Sequence, residues 1–124
     1  MTAKKNTLNR NQALLCIPEK NALVKETFLD SGDLILTYPA VYKPFFIKIQ
    51  KLLQKNPKQT FKRKIQLDSL GKSVWQLLDG QKNVKTIIRE FSAHHHLDYK
   101  EAEISIAHFL RSLGEKGLIG IKEP

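Results

Sequence analysis

The histidines are the residues of this sequence that could most readily bind a metal ion. Three are consecutive, at His94, His95 and His96, and the fourth is His108. Successive residues of an α-helix point about 100° apart, so three in a row cannot all face one ion. The chain also has a single cysteine, Cys16, and no Cys pair for zinc. We therefore expect no metal site.

The sequence also contains no set of residues that is typical of a catalytic site. Cys16 lies in a short apolar strip, residues 13–18, which favours a buried thiol over a nucleophile. The last three glycines follow a predicted helix rather than joining a strand to a helix, so they do not form a phosphate-binding loop. The acids of that helix are typical of a solvated face. We expect a binding protein without cofactor, not an enzyme.

The positive charge of the chain is confined to its first half. Residues 1–64 contain 13 Lys and Arg against 4 Asp and Glu, whereas residues 65–124 contain 8 of each. Residues 43–64 hold eight basic residues and no acidic one. A field of one sign favours acidic partners, whether peptide, nucleic acid or lipid. The alternative is a solvated basic face that only aids solubility.

The length of 124 residues fits one domain, which we place at residues 13–122 behind a flexible basic tail at residues 1–12. The polar N-terminus does not resemble a signal peptide, and no apolar run approaches the roughly 20 residues of a membrane span. With one cysteine the chain cannot form an internal disulfide, which fits a reducing compartment. The expected location is the cytoplasm.

The first half of the chain is predicted to form three strands and one helix. Residues 23–29 and 34–38 read as a hairpin around the turn residues 30–33, and residues 60–67 read as a third strand. On that strand Arg63 is in phase with the apolar residues Phe61, Ile65 and Leu67, whereas Lys62, Lys64 and Gln66 share the other face. Residues 44–55 are predicted to form a basic amphipathic helix, inserted as residues 43–56 between the second and third strands. Such a helix packs on its own core or lies on a membrane surface.

Three consecutive helices are predicted for the second half. The first follows the N-cap candidate Asp68, the second starts near Asn83, and the third starts at Asp98 with Glu101 three residues later. Residues 118–121 could add a short closing strand. The expected fold class is α+β, with an antiparallel sheet of about three strands packed on three helices.

A set of apolar, Asp and Gly residues in this half has a recognisable spacing: Leu67, Asp68, Gly71, Val74, Trp75, Leu78, Asp79, Gly80, Val84, Ile87, Ile88, Phe109, Leu110, Leu113, Gly117 and Leu118. This spacing resembles the PqqD-like family, named for pyrroloquinoline quinone synthesis protein D. The resemblance covers residues 61–121 and implies a small winged-helix-like domain. Within it, the implied structural motif consists of Asp68, Gly71, Trp75, Asp79 and Gly80.

The resemblance implies a peptide chaperone, also called a recognition element of ribosomally made, modified peptides. In that family a leader peptide adds as a strand to the third strand and tucks side chains against the third helix. The implied peptide-binding residues are Phe61, Lys62, Arg63, Lys64, Ile65, Gln66, Leu67, Ile106, Phe109, Leu110 and Leu113. The implied partners are an acidic leader and a modifying enzyme such as a radical SAM protein.

A winged-helix nucleic-acid-binding protein is the alternative, because the helix order and a pI near 9.7 are typical of that class. A recognition helix normally brings Lys and Arg to phosphates. The third predicted helix, residues 98–116, instead has three basic and four acidic residues. The sequence therefore favours the peptide over the nucleic acid.

Overall fold

The structure is a computed structural model that describes residues 9–39 and 62–123. The predicted inserted helix at residues 43–56 and Phe61 lie outside the described residues, as do residues 1–8 of the predicted tail. The described residues form two compact units. The sheet unit lies within Ala22–Ser69, and the helical unit lies within Met1–Asn21 and Leu70–Pro124.

The described part of the chain contains four helices and five strands, which confirms the α+β class. The helices are α1 (Arg10–Leu15), α2 (Ser69–Leu77), α3 (Val84–His95) and α4 (Tyr99–Glu115). The strands are β1 (Ile17–Lys20), β2 (Lys25–Phe28), β3 (Leu34–Pro39), β4 (Lys62–Leu67) and β5 (Ile119–Lys122). None of these helices is long and apolar enough to cross a membrane.

The sheet unit is an antiparallel sheet of three strands, as the sequence predicts, in the order β2-β3-β4. The hairpin between β2 and β3 closes where the Leu29 N–H donates to the Asp33 carbonyl over 2.9 Å. Inside the turn, the Gly32 N–H donates to the Leu29 carbonyl over 3.0 Å. Gly32 has a φ of 97°, a conformation open to glycine and unfavourable for residues with a Cβ. This three-residue loop sets the register of the sheet.

β3 alternates strictly between buried and half-buried side chains. Leu34, Leu36 and Tyr38 form the buried set. Their cross-strand neighbours on β4 are Leu67, Ile65 and Arg63, which therefore share that face. The predicted phase of the third strand is confirmed: Arg63 is aligned with the apolar residues, and the lysines and glutamine of β4 face the other way.

Local capping signals define the helices of the helical unit. The Asn83 side chain accepts the Thr86 N–H over 2.8 Å at the start of α3. At the start of α4, Asp98 accepts the N–H groups of Lys100 and Glu101. Each cap satisfies donors that a helix leaves unpaired and contributes about 1 kcal/mol. Both predicted starts are confirmed.

The apolar stripes of α2, α3 and α4 supply most of the buried side chains of this unit. These are Val74, Trp75, Ile87, Ile88, Phe91, Ala102, Ile106, Leu110 and Leu113, and Leu78 directly after α2 joins them. Trp75 is 1% exposed and is therefore a core residue, and the Lys20 ammonium lies 4.7 Å from its ring centroid. Burying each large apolar side chain contributes roughly 1.5–3 kcal/mol.

Two N-terminal elements were not predicted. α1 begins at Arg10, so the boundary at residue 12 falls inside a helix rather than at the end of a tail. Its signal is a capping box, in which Asn9 accepts the Gln12 N–H and the Gln12 side chain accepts the Asn9 N–H. β1 follows and pairs antiparallel with β5 in a second sheet. The winged-helix-like arrangement itself stays a prediction.

Candidate functional site

β4 is an outer strand of the sheet unit, and its backbone is the first element of the candidate site. Leu29 and Asp33 form a hydrogen-bonded pair at the hairpin, and such pairs alternate along antiparallel strands. The register then directs the backbone groups of Leu34, Leu36 and Tyr38 towards β4. On β4, residues 63, 65 and 67 bond to β3, whereas residues 62, 64 and 66 point outward.

The outward edge of β4 pairs with no strand of residues 9–39 and 62–123. Three N–H and three C=O groups, those of Lys62, Lys64 and Gln66, therefore line this edge. An unpaired edge of this kind is a template for another extended chain. It can accept a peptide through main-chain hydrogen bonds, whatever the side chains of that peptide.

The side chains of β4 grade from charged to apolar along the strand. Lys62, Arg63 and Lys64 are exposed, Ile65 is half-buried, and Leu67 is 6% exposed. Gln66 donates from Nε2 to Asp33 Oδ2 over 2.8 Å, which ties this end of the strand to the hairpin turn. One end of the edge is thus cationic and the other is neutral.

The apolar residues of α4 that the resemblance implies for peptide binding lie mostly in the core. Ile106, Leu110 and Leu113 are 0%, 7% and 1% exposed, and Phe109 is half-buried. With so little exposed surface, Ile106, Leu110 and Leu113 can make almost no contact with a ligand. Their role in peptide binding stays a prediction, and packing within the domain accounts for their burial.

Another face of α4 carries a shallow cleft that sequence reasoning missed. It has a volume of about 210 Å³ and is lined by Glu103, Ile104, Ala107, His108 and Arg111. Ile104 is 54% exposed, which is unusual for isoleucine. The available signal was the spacing of positions 104, 107, 108 and 111, a second helical stripe beside the core stripe.

A bidentate ion pair stands at the edge of this cleft. Arg10 Nε and Nη2 donate to Glu103 Oε2 and Oε1, both over 2.7 Å, and join α1 to α4. The hydrogen bond and charge of Arg10 lower the pKa of Glu103, and Glu103 raises the pKa of Arg10. Because Glu103 is paired with Arg10, the charge of the cleft lining that has no ion-pair partner among residues 9–39 and 62–123 is the guanidinium of Arg111.

The motif residues between α2 and α3 have structural roles. Asp79 Oδ1 accepts the N–H groups of Gln81 and Lys82, each over 2.9 Å, and these bonds lower the pKa of Asp79. Gly80 has a φ of 76°, and its carbonyl accepts Lys122 Nζ over 3.0 Å. The Asp-Gly pair therefore shapes a turn and anchors β5.

Two further motif residues, Asp68 and Gly71, lie near the start of α2. Asp68 immediately precedes the helix and is exposed. Gly71 lies in the first turn and is half-buried.

Groups that could do metal or thiol chemistry are placed unfavourably. Cys16 is 2% exposed, and burial raises the pKa of its thiol, which disfavours the reactive thiolate. His95 Nε2 lies 2.9 Å from Ser73 Oγ, and His96 ends α3 in a left-handed conformation. Within residues 9–39 and 62–123, no three His, Cys, Asp or Glu side chains are grouped to hold a metal ion.

Comparison with known proteins points to one family. The family model of coenzyme PQQ synthesis protein D (PqqD) matches residues 57–119, which is half of the chain and includes β4 and α2 to α4. No curated protein matches the chain. A solved structure titled "TbiB1 in Complex with the TbiA(beta) Leader Peptide" is similar, with a TM-score of 0.56 and 22% identity, over 82% of this chain and 93% of that chain. The chain belongs to the PqqD family.

Proposed function

We propose that this protein binds the leader segment of a ribosomally made precursor peptide and presents it to a modifying enzyme. The leader pairs with the outward edge of β4 as an added strand. The observation that carries the proposal is this edge, where the backbone groups of Lys62, Lys64 and Gln66 point away from β3. Main-chain bonds supply affinity, and side-chain contacts supply selectivity.

The family and the similar structure support the same class of ligand. The chain belongs to the PqqD family, and the similar TbiB1 structure contains a leader peptide by its title. The cationic end of β4, at Lys62, Arg63 and Lys64, favours an acidic leader and speeds its encounter.

On the helical unit we assign the leader's side-chain contacts to α4. The residues that can make such contacts are those of the cleft, because Ile104 and Arg111 are exposed. Ile106 and Leu113 act beneath them by holding the helix in place. An apolar leader side chain would cover Ile104, and a leader carboxylate would pair with Arg111.

The proposed role is non-catalytic. The described residues hold the backbone of a substrate, and the chemistry belongs to a partner enzyme, of which a radical SAM protein is one example. Strand addition suits such a task because it presents an extended peptide whose remaining residues stay free for modification.

NMR titration of the ¹⁵N-labelled full chain with candidate leaders tests the proposal. The candidates are the N-terminal parts of short open reading frames that neighbour the gene. We expect large amide shifts at residues 62–67 and around Ile104 and Arg111, with the β4 amides of residues 62, 64 and 66 becoming protected from exchange. Shifts confined to residues 43–56, with β4 and α4 unchanged, would instead assign binding to the basic insertion.

A further inference from the structure

The side chains of β4 divide this strand into a cationic half and a neutral half. Lys62, Arg63 and Lys64 are consecutive and exposed, and none of them forms an ion pair with a residue of the described ranges. Residues 65–67 are Ile, Gln and Leu and carry no charge. Because Lys62 and Lys64 lie on one face of the sheet and Arg63 lies on the other, the first half is cationic on both faces.

Two acids lie at the end of the neutral half. The Asp33 carboxylate accepts a hydrogen bond from Gln66 Nε2 over 2.8 Å, so it is held beside residue 66. Asp33 directly precedes β3, whose first residue pairs with Leu67, and Asp68 directly follows Leu67. Both acids therefore lie at the opposite end of β4 from its three cations. The charge along this edge changes from positive to negative over about 20 Å.

A strand added to β4 would meet these two halves differently. Neighbouring residues of paired strands share a face, so each residue beside positions 62–64 has a cation next to it on its own face. Consecutive acids there all find a partner, and Arg63 serves the middle one. In the other half, a carboxylate beside Ile65 loses water without gaining a partner, and a carboxylate beside Gln66 meets the charge of Asp33.

We infer that the leader segment recognised at β4 is polarised in charge. Its acids are grouped in the half that lies beside residues 62–64, and the half beside residues 65–67 is apolar and contains no acid. This order of residues rests on the proposed function and specifies its ligand. It holds for both directions of the added strand, because the acids come last in an antiparallel strand and first in a parallel one.

Isothermal titration calorimetry of the full chain with three synthetic peptides tests this inference. All three contain the same Val, Thr and three Glu residues, and they are acetylated and amidated so that their ends carry no charge. Two block peptides have the Glu residues together at the amino or the carboxyl end. The dispersed peptide has one Glu at each end and one in the middle. We expect the tighter of the block peptides to bind on the order of 5-fold tighter than the dispersed peptide, because two more carboxylates meet exposed cations.

Lys64→Glu and Lys25→Glu are matched variants of two exposed lysines. Lys25, Thr37 and Lys64 form one row across the sheet, with Lys64 on the edge strand. Lys25 is three strand spacings, about 14 Å, from an added strand, which exceeds the Debye length of about 8 Å at physiological salt. Lys64→Glu should remove most of the preference for the block peptide, and Lys25→Glu should keep it. Asp33→Asn, which retains an acceptor for Gln66, should strengthen binding of the dispersed peptide more than that of the block peptide.

Three results would count against the inference, once circular dichroism shows that each variant is folded. Equal binding of the block and dispersed peptides would overturn it while leaving strand addition in place. Loss of the preference in Lys25→Glu as well would also overturn it, because the peptides would then respond to the net charge of the protein and not to the edge. If none of the three peptides binds, the proposed strand addition fails together with the inference.

Discussion

Arg63 and Lys64 offer a matched pair of substitutions for the edge of β4. Both side chains are exposed and cationic, and the two residues are adjacent in the same strand. By the alternation of the ladder, the Arg63 N–H donates to the Tyr38 carbonyl, whereas the Lys64 N–H points outward. Proline at either position removes one backbone donor and fixes φ, so these costs are common to both variants.

The variants should differ in stability because they break different bonds. Arg63→Pro leaves the Tyr38 carbonyl unpaired, and Tyr38 is only 5% exposed. An unsatisfied buried acceptor costs about 1–3 kcal/mol. Lys64→Pro removes a donor that faces the open edge, where proline is tolerated. Beyond the costs that both proline variants share, Lys64→Pro should lower the free energy of unfolding by less than about 0.5 kcal/mol, as ordinary surface substitutions do.

Thermal unfolding followed by circular dichroism measures this difference. At roughly 3–5 °C per kcal/mol for a chain of this size, Arg63→Pro should melt about 3–15 °C below Lys64→Pro. Leader binding should show the reverse order. Lys64→Pro should lose most affinity while staying folded, and Lys64→Ala should bind nearly as the original chain does at physiological salt. If Lys64→Pro melts as low as Arg63→Pro, or binds leader normally, the assignment of the outward groups is wrong.

Four further results are expected. Ile104→Asp should weaken leader binding with little change in stability because this side chain is exposed, whereas Ile106→Ala should cost about 2–5 kcal/mol in urea unfolding because it opens a core cavity. Backbone hydrogen bonds lower the pKa of Asp79 below its ordinary value of 3.8. The ionised carboxylate therefore adds to the free energy of unfolding above pH 3.8, and this stabilisation is lost as the pH falls through the folded pKa. Asp79→Asn should therefore lose less stability than the original chain between about pH 5 and about pH 3. Cys16 should react with a thiol reagent only on unfolding, and rapid labelling of the native chain would contradict its burial. In gel shifts the protein should bind DNA weakly and with strong salt dependence, and a sequence-specific footprint at physiological salt would restore the nucleic-acid alternative.

Local signals predicted most of the elements. Asn83 and Asp98 mark helix starts because their side chains cap the first N–H groups, a contact within three residues along the chain. The turn before β3 was predictable from glycine among Asp and Ser, and Gly32 does adopt the expected left-handed conformation. The capping box of α1 was equally local, and it was overlooked because the helix is only 6 residues long.

The pairing of β1 with β5 had no comparable signal. Ile17 is paired with Lys122, almost the whole length of the chain away, and neither strand has more than 4 residues. Short strands have a weak alternation pattern, and their partner is determined only when the chain is folded. β5 was expected from its apolar residues, but its partner was not.

The candidate site shows the same division. From the sequence alone came the third strand, its cationic end and the phase of Arg63, because side chains alternate along a strand by geometry. The sequence also places the apolar residues Ile106 and Leu110 on one stripe of α4. An apolar stripe has the same spacing whether it packs on the protein's own core or contacts a ligand. Burial, which depends on every neighbouring element, placed those two in the core and left Ile104 exposed. Likewise, only the hairpin register determines that the Lys64 N–H points outward, because a shift of one residue would exchange the two edges of β4.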